Sequence, residues 1–284
     1  MTPINRRALV NYVLITYGIT WLCWISAFLL GFDDPSFSSM ITVEYLQSDR
    51  LLPFLIFRFG VYGPLVASLI VTQYYYKKKG RQRLVQNIFR WRVKLKWYLA
   101  ALIFPLLILS AVVVIGIVLT IPFAAFFNSQ LPFLMFFPFL IYQILTSGLE
   151  EPGWRGFALE LLEKAYSFEK MNWILGTVWA IWHFPYVIYL YYSDGLLFTL
   201  FSLAGFTLSI IGQTFIISWL YLNSRSVLLM ILFHAWLNTV TTLFLGDITI
   251  EHPVMGTVPA LATWGFVLLL TKYFPVGTLK NKSG

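Results

Sequence analysis

Apolar residues run through this chain in long blocks, and charged positions cluster between the blocks rather than alternating within them. The blocks cover 9–31, 53–76, 97–121, 131–150 with a polar extension, 171–191, 197–221, 226–245 and 256–274. Each is close to the ~20 residues that a helix needs to cross a bilayer core. A transmembrane barrel would instead give short segments of alternating polarity. The pattern predicts an all-α polytopic membrane protein of about eight transmembrane helices, forming a single integral membrane domain over 1–284. The first block follows Arg6-Arg7 but is too long for the apolar region of a signal peptide, so it is read as a span.

Composition agrees with this reading. The chain is 59% hydrophobic and 11% charged, whereas soluble domains carry roughly a quarter charged residues. Cys23 is the lone cysteine and lies inside an apolar block, so no disulfide framework exists. The net charge of +8 is unevenly placed. The connection 77–96 holds Lys77, Lys78, Lys79, Arg81, Arg83, Arg90, Arg92, Lys94 and Lys96 and no acid. Arg6, Arg7, Lys164, Lys170, Arg225, Lys280 and Lys282 belong to the same side by parity. The alternate connections hold Asp33, Asp34, Glu44, Asp49, Asp194, Asp247 and Glu251. Positive-inside bias then predicts both termini in the cytoplasm. Basic residues beside a membrane serve topology and anionic headgroups, so the partners expected are membrane lipids and no nucleic acid.

A few polar groups lie within the apolar blocks, where they are costly and mark function. Ser147-Gly148-Leu149-Glu150-Glu151-Pro152-Gly153-Trp154-Arg155-Gly156 ends the fourth block. On a helix Glu151 and Arg155 stand one turn apart in the favourable order for an ion pair, which leaves Glu150 without that partner. His183 lies in Trp179-Ala180-Ile181-Trp182-His183-Phe184-Pro185. His234 and Asn238 are four residues apart and share a face. Counted from the basic ends of their segments, Glu150, His183 and His234 lie roughly 14–21 Å deep at 1.5 Å per residue. Three spans thus present ionisable groups at a common level. The depth count predicts a cavity reachable from the cytoplasm. His252 receives no role.

The chemistry of these residue types suits amide hydrolysis. A glutamate acts as general base on a water that a histidine helps to orient. A second histidine with an asparagine donates hydrogen bonds to a developing oxyanion. A phosphate-binding loop and an HExxH motif are both missing from the sequence.

At these residues the chain resembles the CPBP family of intramembrane proteases, also called the Abi or type II CAAX prenyl endopeptidase family. Its pattern is Glu-Glu-x-x-x-Arg, then Phe-x-x-x-His, then His-x-x-x-Asn or Asp. Glu150, Glu151 and Arg155 match the first part. Trp179 to His183 match the second, with Trp179 where Phe is usual, and His234 with Asn238 match the third. The resemblance covers about 131–245. It implies a helical fold whose catalytic cavity faces the cytosol. It also implies Glu150 as base with His183, an oxyanion site at His234 and Asn238, and support from Glu151, Arg155 and Trp179. The substrate it implies is a membrane-associated protein or peptide, in some members a prenylated CAAX sequence, in others a peptide undergoing maturation. Zinc is the cofactor to weigh, because Glu150, His183 and His234 are all zinc-capable. A catalytic zinc site wants three protein ligands and an open position. If Glu150 is the base, only two histidines remain. The expectation is a glutamate-activated water with no obligatory metal, zinc being the alternative. Two rival readings use the same groups: a transporter or channel, and a non-catalytic bacteriocin-immunity protein.

Overall fold

The computed structural model describes residues 1–34, 36–126, 133–245 and 257–274, and among them the regular structure is entirely helical. Asp247, Glu251, His252, Lys280 and Lys282 lie outside the described residues. Five helices are long and apolar enough to cross a bilayer: Pro3–Leu29, Leu95–Val118, Phe133–Leu162, Leu196–Ser224 and Val227–Leu245. Two bent pairs add a crossing each, Leu51–Val61 with Gly63–Ile88 at 45° and Phe168–Trp182 with Phe184–Asp194 at 50°. The protein is therefore an all-α, multi-pass integral membrane protein. The expected eighth crossing is Val258–Tyr273, a helix of 16 residues. At 1.5 Å per residue it reaches ~24 Å, less than the ~30 Å core.

The bends have a local cause. Pro64 and Pro185 stand in the first turn of the second helix of each pair. Proline lacks an N–H and crowds the preceding turn, so the helix before it stops. A second interruption falls at Lys77, with φ 53° and ψ −145°, where the apolar part of Gly63–Ile88 gives way to the basic stretch.

The first helix holds both bent pairs. Thr20 Oγ1 donates to Gly60 O at 2.7 Å, and Trp24 Nε1 donates to Phe57 O at 3.0 Å. Toward the other pair, Tyr17 donates to Val178 O at 2.6 Å and Trp21 Nε1 to Trp182 O at 3.0 Å. Trp182 Nε1 returns a hydrogen bond to Thr20 Oγ1 at 2.8 Å. Polar atoms in lipid gain from partners on neighbouring helices, and small residues let those helices approach. Gly153 is such a residue: a Cβ there would lie 2.4 Å from Pro64 O. The segment that carries the two glutamates thus approaches the backbone of Gly63–Ile88, in the first bent pair.

At the basic end, buried Glu160 accepts from Arg83 and from Tyr221, and Arg225 pairs with Glu163 at 2.7 Å. The N-terminus lies at this end too: Tyr76 donates to Asn5 Oδ1 and Asn11 Nδ2 to Tyr75, both at 2.8 Å.

Candidate active site

The segment Phe133–Leu162 changes pitch repeatedly where the carboxylates sit. Its α-helix ends at Leu145, and Thr146 leaves helical geometry with φ −110° and ψ −96°. A tight 3₁₀ turn follows over Ser147–Glu150, then one α turn over Glu151–Gly153, then a π-helical stretch over Trp154–Leu159. Pro152 supplies no N–H to the ladder, and π segments accommodate that kind of mismatch, often at functional sites. The chain stays helical through Pro152-Gly153 but presents its side chains at spacings that a uniform helix would not.

The two glutamates take different partners. Glu151 and Arg155 are both 0% exposed. Arg155 Nη1 donates to Glu151 Oε1 at 2.9 Å, as the one-turn spacing predicts. The same oxygen accepts from His234 Nδ1 at 2.8 Å. Sequence reasoning missed this second bond, because the partners are far apart in the chain. Arg155 also stacks its guanidinium 4.5 Å above the Trp179 ring.

Glu150 is 4% exposed and is not left free, as the spacing argument had it. Its Oε2 accepts from Trp179 Nε1 at 3.0 Å and from Trp154 Nε1 at 3.3 Å. Its Oε1 has no hydrogen-bond partner among the described residues. Trp179, where the family pattern has Phe, therefore supplies a hydrogen bond that Phe lacks.

His183 caps the helix Phe168–Trp182 at the Pro185 bend, with φ −82° and ψ −11°. Its Nδ1 lies 2.9 Å from Trp179 O. A carbonyl only accepts, so Nδ1 carries the proton and Nε2 is the nitrogen left for the cavity. His234 likewise gives Nδ1–H to Glu151. Asn238 Nδ2 donates to Ser147 Oγ at 3.1 Å, and Ser147 donates to Gln143 Oε1 at 2.6 Å. This small polar cluster was invisible in the sequence, where nothing about Ser147 or Gln143 set them apart.

Glu150, Trp179, His183, His234, Asn238 and Ser147 line one cavity of about 650 Å³. The sequence-predicted groups are thus brought together from three separate segments. Glu151 and Arg155 stand behind the wall. Zinc finds no ligand set here: among the described residues no three His, Cys, Asp or Glu side chains converge on one point.

The cavity continues from Glu150 to Asp34, Ser36, Phe37 and Met40 in the connection after the first helix. Trp154, Phe157, Leu159 and Leu162, which follow Glu150 toward the basic end, are all buried and do not line it. The cavity lining thus reaches the connection after the first helix, whereas the N-terminus packs against Tyr75 and Tyr76 at the basic end.

A multi-pass helical bundle with these groups around an internal cavity defines a membrane endopeptidase once its relatives are considered. Residues 129–240 match the family model described as type II CAAX prenyl endopeptidase Rce1-like. The chain is also 29% identical over 240 residues to CAAX prenyl protease 2 of Methanococcus maripaludis, covering 80% of this chain and 81% of that one. Over 129–240 the chain is thus similar to the Rce1-like type II CAAX prenyl endopeptidases.

Proposed function

We propose that this endopeptidase hydrolyses membrane-associated polypeptides with a water activated by Glu150. The observation that carries the reading is the shared cavity, in which Glu150 Oε1 and the Nε2 atoms of His183 and His234 have no protein hydrogen-bond partner among the described residues. A water between Glu150 and His183 loses its proton to Glu150 as it attacks the scissile carbonyl. His183 Nε2 accepts from the same water and aims its lone pair. His234 donates from Nε2 to the oxyanion when its ring carries both protons, and the Glu151 carboxylate then faces that charge. Asn238 adds a second donor after turning from Ser147. Glu150 returns the proton to the leaving amine.

The donor set supports a mechanism with no obligatory metal. Protein dialysed against a strong chelator is expected to keep its cleavage of a membrane-peptide library, read by mass spectrometry, with far less than one zinc per chain by elemental analysis. Loss of activity with loss of one zinc per chain, and recovery on adding zinc back, would sink this mechanism.

Orientation bears on the substrate. The nine basic residues of 77–96 support a cytoplasmic location for that end. The cavity lining includes Asp34, Ser36, Phe37 and Met40 at the other end, and on this reading its mouth opens on the non-cytoplasmic face. A prenylated CAAX protein made in the cytoplasm fits a cytoplasmic mouth, whereas a peptide processed during or after export fits this one. The charge bias favours peptide maturation. In a background with Cys23 replaced, a cysteine at exposed Gln47 should react with an impermeant thiol reagent in intact cells. One at exposed Gln82 should react only in inverted vesicles. The reverse labelling would put the mouth in the cytoplasm and restore CAAX proteins as the favoured substrates.

A further inference from the structure

The cavity holds a cation that the mechanism does not use. Arg58 lies inside the apolar helix Leu51–Val61, and its side chain lines the same cavity as Glu150. Charged groups at such positions mark ligand sites. Among the described residues its one acid neighbour is Asp34, at 3.8 Å from Nη2. That is beyond hydrogen-bond distance. Asp34 itself accepts from Tyr186. The guanidinium is otherwise surrounded by the rings of Phe54, Phe57 and Tyr142 at 5.0, 5.4 and 5.4 Å. Its Nε is buried with no hydrogen-bond partner, and so is the Tyr142 hydroxyl. A planar cation with idle donors, beside an idle hydroxyl, matches a carboxylate or phosphate oxygen pair.

Resting on the endopeptidase reading, we infer that Arg58 and Tyr142 form an anchor for the C-terminal carboxylate of the peptide substrate. Tyr142 precedes Glu150 on one segment, across the break at Thr146 and the 3₁₀ turn that follows it, a path of roughly 14 Å by helical rise. An extended peptide covers that distance in about four residues. A carboxylate held by Arg58 therefore lets the chain behind it reach Glu150. A phosphate on a lipid headgroup has the same charge and acceptor geometry, but the cavity that Arg58 shares with Glu150 favours the peptide.

The test separates binding from cleavage by using Glu150→Gln protein in detergent. Two dansylated apolar hexapeptides are compared by fluorescence anisotropy, one a free acid and the other its carboxamide. The acid is expected to bind at least ten-fold tighter. Adding Arg58→Gln should erase that difference, and Arg58→Lys should keep part of it. Tyr142→Phe, which removes only one oxygen, should reduce it. Equal binding of acid and amide to the Glu150→Gln protein would overturn the anchor, whether or not the enzyme cleaves peptides. So would a preference that survives Arg58→Gln. Equal peptide binding together with Arg58-dependent retention of phosphatidylglycerol would assign the site to lipid phosphate instead.

Discussion

Glu150→Gln is expected to lower peptide cleavage by about 10²–10⁴-fold, the range that a positioned proton-transfer group contributes. Its melting temperature in detergent should be nearly that of the wild type. The side-chain oxygen of glutamine still accepts from Trp154 and Trp179, whose N–H groups now meet Glu150 Oε2. Alanine at the same position would behave differently. It strands two buried indole N–H groups, each at a cost of about 1–3 kcal/mol. Loss of activity in Glu150→Ala would therefore mix chemistry with stability, and glutamine is the informative substitution. Substantial turnover by well-folded Glu150→Gln would remove Glu150 from the role of base.

Glu151→Ala is expected to lose both stability and turnover. Breaking a buried ion pair by removing one partner costs about 3–5 kcal/mol, because the other charge is left unpaired. Arg155 is wholly buried and would be that charge. The same change frees His234 from the oxygen that holds its Nδ1. A double variant separates the two effects. Glu151→Gln with Arg155→Met removes both charges, so thermal stability should return in large part. Turnover should not return, since His234 then lacks its charged partner. Full recovery of cleavage in the double variant would reduce Glu151 to a counter-ion for Arg155. An unchanged melting temperature in Glu151→Ala would deny the pair any stabilising part.

The sequence carried the location of the site because intramembrane charges are rare enough to stand out. Glu150, His183 and His234 could be matched in depth from helical rise alone, and the Glu151–Arg155 pair follows from spacing on one turn. The bonds that decide how the carboxylates differ were not legible. Trp179 reaches Glu150, and His234 reaches Glu151, only through the packing of separate helices. The irregular pitch after Thr146 also turns side chains in ways that a uniform helix does not predict. Arg58 was hidden for a different reason: it is one cation in an apolar block and takes part in no motif. The apolar blocks and their order were legible, whereas five helices and two bent pairs are long enough to cross where eight spans were expected. Proline placed two bends within single blocks, and the last block formed a helix too short to span unaided.

The proposed orientation, with the N-terminus and the cavity mouth at opposite ends, has a practical consequence for reconstitution. A peptide added outside a sealed vesicle meets only those molecules whose mouths point outward. The remainder are latent until detergent opens the membrane. The ratio of activity before and after permeabilisation then reports how the molecules are inserted, and a low rate in intact proteoliposomes says nothing about the competence of the enzyme.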